Sequence, residues 1–490
     1  MSRYILSIDQ STQATKAMLF DENGRLKARS DRPHRQIIND KGWVEHDPEE
    51  ITASMYLAAK ECIAVSGIDK NEIVSLALSN QRETAVCWNR KTGRPVYNAI
   101  VWQCARGEAI CQRLAEKGYA ETVRKKTGIP LSPYFTAAKL AWIMENVAGV
   151  KEKAQNGEIC VGTIDSWLVY TLTKGERHQT DYSNASRTQL FNVTDLKWDE
   201  ELLELFGIDP SCMPQLTDSD GDYGMTDLSG LLDQPIPIHG VLGDSHGALL
   251  GQGCLQEGMA KATYGTGSSV MMNIGHAPFF SDKGVVTSLA WKIGGQVSYV
   301  LEGNINYTGA VITWLKDDVK LIDSPKETEA LARAASPGDR TYLVPAFSGL
   351  GAPYWDADAR AALTGMSRTT GRNEIVRAAL DCIALQITDI VKAMNASGSG
   401  AVRELRADGG ASGNGYLMQL QSDLLGIPVR VPQIEELSGF GAAFAAGLAL
   451  GVYDMKLFEH FASAVYTPQM DPAAVKEKYD GWLDAVRRVR

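Results

Sequence analysis

The eight cysteines of this 490-residue chain include no CxxC pair, and no group of cysteines and histidines has the spacing of a zinc site. The sequence therefore offers no sign of a disulfide framework or a zinc centre. Scattered cysteines of this kind predict buried, reduced thiols in a cytoplasmic protein.

Positive charge and long apolar runs are also scarce. Lysine and arginine total 49 against 59 acidic residues, and the net charge of -10 argues against nucleic acid or an anionic membrane as the main partner. A locally positive pocket could still bind phosphate. The longest run of small apolar residues, at 439–453, is shorter than the roughly 20 residues that span a bilayer, so we predict no membrane insertion. The N-terminus soon enters a polar loop, and no secretory segment is predicted.

Two familiar kinase signatures are missing as well. The chain has no GxxxxGK[ST] loop and no HRD or DFG element. What is present is an ordinary globular composition, 44% hydrophobic and 22% charged. A chain of 490 residues has room for two large domains.

Apolar runs alternate with capped helical segments, which predicts an α/β fold. Asp47 should cap a helix that begins at Pro48, Gly118 should end a second helix, and Asn373 should cap a third that runs through Met394. The Gly/Ala-rich run at 439–453 suits a helix packed tightly against another element. Strands are predicted at 5–8, 17–20, 74–79, 85–88, 159–164, 237–243, 260–265 and 341–347.

Two apolar hairpins carry polar bends that resemble each other. The first bend runs from Asp9 to Lys16, and the second is YGTGSS at 264–269. Backbone N–H groups, hydroxyls and a lysine can hold phosphate oxygens, and a carboxylate beside them can hold Mg²⁺. A solvated hairpin is the simpler interpretation of either bend alone. The pair suggests two domains of similar plan that each offer a loop to one cleft.

A third loop, GGASGN at 409–414, follows a predicted strand that ends at Asp408 and leads into a helix beginning near Gly415. A glycine-rich loop that opens a helix can admit a ligand against backbone amides. A plain strand–helix turn is an equal alternative.

The stretch GDSHG at 243–247 allows three interpretations. It fits the GxSxG elbow of serine hydrolases, with Ser245 as nucleophile, although the only later histidines are His276 and His460. Alternatively, Asp244 lies at a strand end where it can take a proton from a substrate hydroxyl during phosphoryl transfer. An N-cap aspartate is the structural alternative.

A further polar cluster, SNQRE at 79–83, follows another strand directly. Arg82 offers donors and Glu83 offers acceptors, which together suit a molecule rich in hydroxyls. Trp102 could add an apolar wall. Alone, an ordinary surface ion pair would explain the two charges.

Together these stretches resemble the FGGY family of carbohydrate kinases, and within it the glycerol kinase branch. The resemblance runs from Tyr4 to about Tyr453. It is carried by GWVEHDPEEI, SNQRET, YNAIVWQC, YFTAAKLAWI, DYSNASRTQLFN, ATYGTG, VPAFSGLGAPYWD, AALTGMSRTTGRNEIVRAALD and DGGASGNGYLMQLQSD.

The resemblance implies two actin-like, ribonuclease-H-type domains around a cleft, at 1–245 and 246–490. It implies ATP and Mg²⁺, a small polyol or sugar as substrate, and a homodimer or homotetramer. Asp244 would be the catalytic base and Asp9 would position the metal. The polyol would contact Arg82, Glu83, Trp102, Tyr134, Asp244, Ser245 and Ser269. ATP would contact Thr12, Gln13, Lys16, Thr266, Gly309, Ile312, Gly410, Ala411 and Asn414.

The sequence departs from the glycerol kinase pattern at several of these positions. Lys16 replaces an arginine and so loses the guanidinium fork, and Ser11 replaces a glycine. Ser245 replaces a glutamine and Ser269 a phenylalanine, both at polyol-contacting positions. These changes predict an enlarged pocket with His246 nearby, in a kinase of a small polyol or sugar that is similar to glycerol kinases. A kinase of a tetritol or pentulose rather than glycerol is the alternative. A serine hydrolase and a non-catalytic nucleotide sensor are the alternatives from other classes.

Overall fold

The computed structural model describes residues 3–490 and contains two large sheets. In the first half, strands β1 to β15 are Tyr4–Gln10, Ala14–Phe20, Leu26–Pro33, Ile37–Ile38, Val44–His46, Ile73–Asn80, Val86–Asn89, Ala99–Ile100, Ile159–Gly162, Gln179–Asp181, Phe191–Asn192, Lys197–Trp198, Gln215–Thr217, Met225–Thr226 and Ile236–Gly243. Helices α1 to α9 are Pro48–Ser66, Glu108–Glu116, Ala120–Thr127, Thr136–Asn146, Val150–Gln155, Ile164–Leu172, Tyr182–Ala185, Glu200–Phe206 and Asp244–Gly251.

The second half continues the alternation of strands and helices. Strands β16 to β24 are Met259–Tyr264, Ser268–Asn273, Val286–Ile293, Gln296–Ile305, Tyr342–Val344, Ala362–Thr364, Glu404–Asp408, Val429–Pro432 and Ser463–Tyr466. Helices α10 to α15 are Gly309–Thr313, Thr328–Ala334, Arg372–Ala396, Gly415–Leu425, Leu437–Ala449 and Pro472–Arg487.

The two sheets share a plan, as the two similar bends predict. The first has the order β14-β15-β6-β1-β2-β3, in which β15, β6 and β1 run parallel and the β1–β2 hairpin continues into antiparallel β3. The second has the order β18-β19-β17-β16-β22-β23-β24, in which the β16–β17 hairpin is flanked by parallel β22 and antiparallel β19. Each half therefore contains a polar hairpin bend at the edge where its parallel strands end.

Strand register brings polar residues together at these edges. Asp9 lies opposite Ser79, and Gly243, which precedes Asp244, lies opposite Asn80. In the second sheet the residue opposite Asp408 is Thr263, just before the YGTG bend. Ligands of open α/β sheets bind outside the carboxyl ends of the strands, so both edges are candidate binding surfaces.

Helix α14 comes from the second half of the chain but packs on elements of the first half. It packs against α9 and against β15, β6 and β1 of the first sheet. A Cβ atom at Gly441 would lie 1.9 Å from the Gly247 carbonyl oxygen, so only glycine allows this approach of α14 to α9. The predicted tightly packed helix is confirmed. Among the residues that the structure describes, no helix combines the length and apolarity needed to cross a membrane.

Most predicted elements are present, with shifts at their ends. Asp47 caps α1 by accepting a hydrogen bond from the Glu49 amide, and all eight cysteines are free and buried. The Asn373 cap is wrong. Helix α12 begins at Arg372, and the Glu374 carboxylate accepts a hydrogen bond from the Gly371 amide, which places Asn373 inside the first turn. Of the predicted strand at 341–347, only Tyr342–Val344 forms a strand, and Phe347 makes an isolated bridge to Gly349.

Candidate active site

Asp9 ends β1 with its carboxylate almost fully buried, at 6% exposure. Its Oδ1 atom has no hydrogen-bond partner within residues 3–490. Burial raises the pKa of Asp9 to about 6, while the positive charge of Lys16 acts in the opposite direction. A buried acceptor oxygen without a donor is the kind of group that a hard cation such as Mg²⁺ can satisfy.

The bend after Asp9 borders the residues predicted for the polyol. Trp102 donates its indole N–H to the Thr12 hydroxyl at 3.0 Å. The Trp102 and Tyr134 rings meet edge to face with centroids 5.4 Å apart. One hydrogen bond therefore joins the predicted phosphate loop to the predicted apolar wall of the substrate site.

Lys16 does not project freely into the cleft. Its ammonium lies 2.8 Å from the carboxylate of Glu436, the residue that precedes α14, and Arg29 binds the same carboxylate. The cation predicted for phosphate is thus already paired.

Asp244 is the first residue of α9 and is not its N-cap, because the cap position is Gly243. The end of β15 is held by a hydrogen bond from the Gly243 amide to the Ser183 hydroxyl at 3.0 Å. Asp244 Oδ1 accepts the Ser245 amide at 2.6 Å and lies 3.2 Å from Arg82 Nε. Both contacts involve Oδ1, so Oδ2 remains available, and the side chain is 36% exposed.

Behind Asp244 lies a chain of alternating buried charges. Arg82 donates through Nη1 and Nη2 to Glu302 at 3.1 and 2.8 Å. Arg187 donates to Glu302 at 2.8 Å and to Glu83 at 2.6 Å. Burial opposes the ionisation of Glu302, but Arg187 and Arg82 together hold its pKa below the usual range. Arg82 and Glu83 are therefore a buried pair of anchors and not a surface ion pair.

Lys139 holds the backbone on either side of Tyr134. Its ammonium is fully buried and donates to the carbonyl oxygens of Pro133, Tyr134 and Phe135 at 2.5 to 2.9 Å. Burial lowers the pKa of Lys139 to about 7, although the charge of Glu83 opposes the shift. These bonds hold the loop that presents the Tyr134 ring.

The positions that depart from the glycerol kinase pattern lie beside this network. Ser245 and Ser269 are each partly exposed, and the Ser269 hydroxyl lies 3.5 Å from Glu302. His246 is fully buried, with Nε2 3.4 Å from the Ser288 hydroxyl. The serines can face a ligand, whereas His246 packs behind the site and cannot contact one.

The second half contains a cavity of about 630 Å³. Its lining brings together six residues predicted for ATP: Thr266, Gly309, Ile312, Gly410, Ala411 and Asn414. Thr12, Gln13 and Lys16 belong to the first hairpin and do not line it. Pro325, Lys326, Thr328 and Glu329 also border the cavity and were not predicted.

Two glycines shape this cavity. A Cβ atom at Gly309 would lie 2.7 Å from the Gly265 carbonyl oxygen, to which the Gly309 amide donates at 2.8 Å. Gly409 has φ 88°, and a Cβ atom there would lie 2.5 Å from the Tyr264 carbonyl oxygen. The YGTG bend, the start of α10 and the GGASGN loop are therefore in backbone contact.

Models of the N-terminal and C-terminal domains of the FGGY family of carbohydrate kinases match residues 4–251 and 260–450. The chain belongs to this family. It is 49% identical over 489 residues to glycerol kinase 1 of Thermotoga maritima and covers 99% of each chain. It is 46% identical over 491 residues to the glycerol kinase of Paraburkholderia phytofirmans, covering 100% of this chain and 98% of that one.

Solved structures agree with this assignment. The Plasmodium falciparum glycerol kinase with ADP matches with a TM-score of 0.93 at 36% identity, over 99% of this chain and 98% of that chain. A ligand-bound xylulose kinase from Lactobacillus acidophilus shares the fold, with a TM-score of 0.88 at 23% identity over 100% and 98% of the chains. The predicted two-domain α/β fold is confirmed, and the chain is an ATP-dependent polyol or carbohydrate kinase.

The serine hydrolase alternative finds no support. His276 hydrogen-bonds the Val297 carbonyl oxygen, and within the described part of the chain no histidine is hydrogen-bonded to the Ser245 hydroxyl. FGGY kinases match along the whole chain instead.

Sequence reasoning missed Glu302, Arg187 and Lys139. Arg187 and Lys139 lie within stretches that carry the family resemblance, but no spacing rule links them to Arg82 or Tyr134. Glu302 had a signal of its own, because it is the one charged residue of strand β19 and directly follows the apolar run at 299–301. A charged residue in a buried strand indicates a buried partner.

Proposed function

We propose that this kinase transfers the γ-phosphoryl group of ATP to a primary hydroxyl of a polyol or ketose with four or five carbons. The observation that carries the proposal is the pair of short, partly exposed side chains, Ser245 and Ser269, beside Asp244 and Glu302. A glutamine and a phenylalanine at these positions would fill space that two serines leave free. A longer substrate can occupy that space and bond the two hydroxyls.

In this mechanism Asp244 is the base. Its Oδ1 atom is engaged by the Ser245 amide and Arg82, so Oδ2 takes the proton of the attacking hydroxyl. The substrate oxygen forms a bond to the γ-phosphorus, and the bond to the bridging β–γ oxygen breaks, which releases ADP. The proton resides on Asp244 until it passes to solvent.

The polyol is held by charge on one side and by rings on the other. Arg82 donates to its hydroxyls and Glu83 accepts from them, while Trp102 and Tyr134 cover its carbon chain. The buried ion pairs of Arg82 and Glu83 restrict both side chains to one orientation before substrate arrives.

ATP occupies the cavity of the second half, and its phosphates extend toward the two hairpin bends. Thr12, Gln13 and Lys16 contact them from the first bend and Thr266 from the second. Asp9 suits Mg²⁺ because its buried Oδ1 atom has no donor within residues 3–490. The ion, when bound, neutralises charge on the phosphates.

The remaining properties are proposals of the same kind. We place the domain boundary between residues 245 and 246, at the start of α9. We place the protein in the cytoplasm, which the eight free, buried cysteines support. The homodimer or homotetramer stays a prediction, and multi-angle light scattering would test it.

A substrate panel tests the proposed function. The purified protein is assayed for ADP release with glycerol, tetritols, tetruloses and pentuloses, and the phosphorylated products are identified by mass spectrometry. We expect the highest kcat/KM for a compound of four or five carbons. If glycerol has the highest value, the second candidate holds, namely a glycerol kinase, which the named relatives favour. If no compound is phosphorylated, the kinase assignment of this site fails.

A further inference from the structure

Glu302 lies in the second sheet, yet both of its cationic partners come from the first half of the chain. Arg82 follows β6 and Arg187 follows α7. Arg82 donates to both oxygens of the Glu302 carboxylate, at 2.8 and 3.1 Å, and Arg187 donates to Oε2, one of the same two oxygens, at 2.8 Å. All three side chains are buried, with Glu302 at 0% exposure. A network of this kind fixes the orientation of each member.

The geometry at Arg82 shows what this orientation determines. Glu302 takes Nη1 and Nη2 in a bidentate contact, and the nearest approach of Asp244 to Arg82 joins Oδ1 to Nε, at 3.2 Å. Bidentate pairing is the strongest arrangement that a guanidinium can make with one carboxylate. While Glu302 holds the edge formed by Nη1 and Nη2, Asp244 cannot pair with that edge and approaches Arg82 from its Nε side.

We propose that Glu302 is a positioning residue that holds Arg82 away from full pairing with Asp244. By this restraint the Asp244 carboxylate keeps Oδ2 available for the substrate proton. The inference rests on the proposed role of Asp244 as base. It adds a residue that contacts neither substrate nor ATP.

Removal of the Glu302 charge should change the contact between Arg82 and Asp244 in particular. Without the Glu302 charge, Arg187 still has Glu83 at 2.6 Å, whereas Arg82 has only Asp244 as a contacting carboxylate. Arg82 would then turn its fork toward Asp244 and occupy the base. Each buried arginine keeps one carboxylate, so the change leaves no unpaired buried cation.

Among the described residues, the groups closest to this pair are poorly suited to take over the restraint. Glu83 acts on Arg82 through its charge but is itself bound by Arg187 at 2.6 Å. His246 lies near Glu302, but burial and the nearby charge of Arg82 lower its pKa well below the usual range, so it is neutral. Lys261 is buried and donates to the Thr263 hydroxyl at 3.1 Å. The Ser269 hydroxyl reaches Glu302 only at 3.5 Å and carries no charge.

The test compares Glu302→Gln and Glu302→Asp with a matched control, Glu404→Gln. Glu404 also binds two arginines, Arg406 at 2.8 Å and Arg430 at 2.6 Å, but lies outside the site. For Glu302→Gln we expect kcat to fall roughly 10- to 100-fold, the scale of a misplaced reacting group. KM for ATP should stay within about threefold, and Glu302→Asp should recover most of the loss because it restores the charge. Glu404→Gln should leave both constants unchanged.

The proposal is overturned if Glu302→Gln keeps kcat within threefold of wild type, or if Glu302→Asp is no better than Glu302→Gln. Thermal unfolding shows whether Glu302→Gln folds. If it does not fold, the variant Arg187→Gln tests the proposal instead. That variant leaves Arg82 bound to Glu302 and removes the arginine that binds Glu83. We therefore expect KM for the polyol to change more than kcat. A larger change in kcat than in KM for the polyol would count against the proposal. Asp244→Asn run in parallel separates the two claims. If it is inactive while Glu302→Gln is normal, only the positioning role fails.

Discussion

The side chains of Lys16 and Glu436 meet at 2.8 Å although 420 positions separate them in the chain. The pair joins the first hairpin bend to the residue before α14, and Arg29 binds the other Glu436 oxygen. Lys16 is the cation predicted for the ATP phosphates. Phosphate must therefore compete with Glu436 for it.

Replacing Glu436 by glutamine should improve ATP binding. The variant removes a negative charge that competes with the triphosphate, and the pair is partly exposed, with side-chain exposures of 26% and 17%. Such pairs contribute about 0.2–1 kcal/mol, which predicts a fall in KM for ATP of about 1.5- to 5-fold. Steady-state kinetics at low salt measures it. Asp227→Asn, which breaks the Lys174 pair at 2.7 Å, is the control. A rise in KM for ATP would show that Glu436 assists binding.

Asp244→Asn should abolish most turnover while ATP binding stays intact. An amide cannot take the substrate proton, and loss of a general base costs roughly 10²–10⁴-fold in kcat. The contacts of Oδ1 with the Ser245 amide can persist through the amide oxygen, so the fold should be intact. Isothermal titration should give an unchanged Kd for ATP. Near-normal kcat in this variant would exclude Asp244 as the base.

Gly410→Val should weaken ATP binding selectively. A Cβ atom at Gly410 has no neighbour within 4 Å, so the valine side chain fits the fold and projects into open space at the cavity. It would occupy volume that the nucleotide needs. KM for ATP should rise at least 10-fold, and KM for the polyol should change little. A tenfold rise corresponds to a loss of about 1.4 kcal/mol in the free energy of ATP binding. Gly338 is equally open but outside the cavity, so Gly338→Val should have no effect. Equal effects on both substrates would place the nucleotide elsewhere.

How much the sequence could predict depended on whether a signal was local. The hairpins, the GGASGN turn and the Asp47 cap were predictable because each is encoded by residues adjacent in the chain. The Asn373 cap was wrong because the helix begins two residues earlier, with Gly371 as its N-cap and the Gly371 amide bound by the Glu374 carboxylate. These cases need only a few residues of context.

The charge network was not predictable in the same way. Glu302 meets Arg82 across 220 positions, and nothing in either local sequence specifies the partner. The same holds for Lys16 and Glu436. His246, two positions after Asp244, was predicted to lie near the substrate pocket, but helix geometry turns its side chain into the core. Side-chain direction and long-range pairing are properties of the packed structure alone.

A pH-dependent stability contribution should come from Asp389. Burial raises its pKa to about 6 although Tyr479, Trp482 and Tyr354 all donate to it. Its ordinary pKa is 3.8, so the folded state holds more protons than the unfolded state between about pH 4 and 6, and the free energy of unfolding falls as pH rises through that window. Asp389→Asn should remove the contribution of this carboxylate to the fall in the free energy of unfolding between about pH 4 and 6.

Urea unfolding at pH 4 and pH 7 measures the effect. The free energy of unfolding of wild type, less that of Asp389→Asn, should be larger at pH 4 than at pH 7. Asp199→Asn is a control of opposite sign, because Lys126 and Asn192 outweigh burial and lower the pKa of Asp199. A difference that is equal at both pH values would contradict the prediction.

The substrate pocket gives the last prediction. Ser245 and Ser269 have smaller side chains than the glutamine and phenylalanine of the glycerol kinase pattern, and in the proposed pocket a lost apolar contact of this size weakens a short ligand by about 1–3 kcal/mol. The double variant Ser245→Gln with Ser269→Phe should therefore raise kcat/KM for glycerol about 5- to 150-fold relative to a tetritol or pentulose. Both positions are partly exposed, so the larger side chains need not disturb the core. Ser288→Ala, which removes a buried hydroxyl beside His246, is the control for a substitution behind the site. The enlarged-pocket hypothesis is wrong if wild type already prefers glycerol, or if the double variant leaves the substrate ranking unchanged.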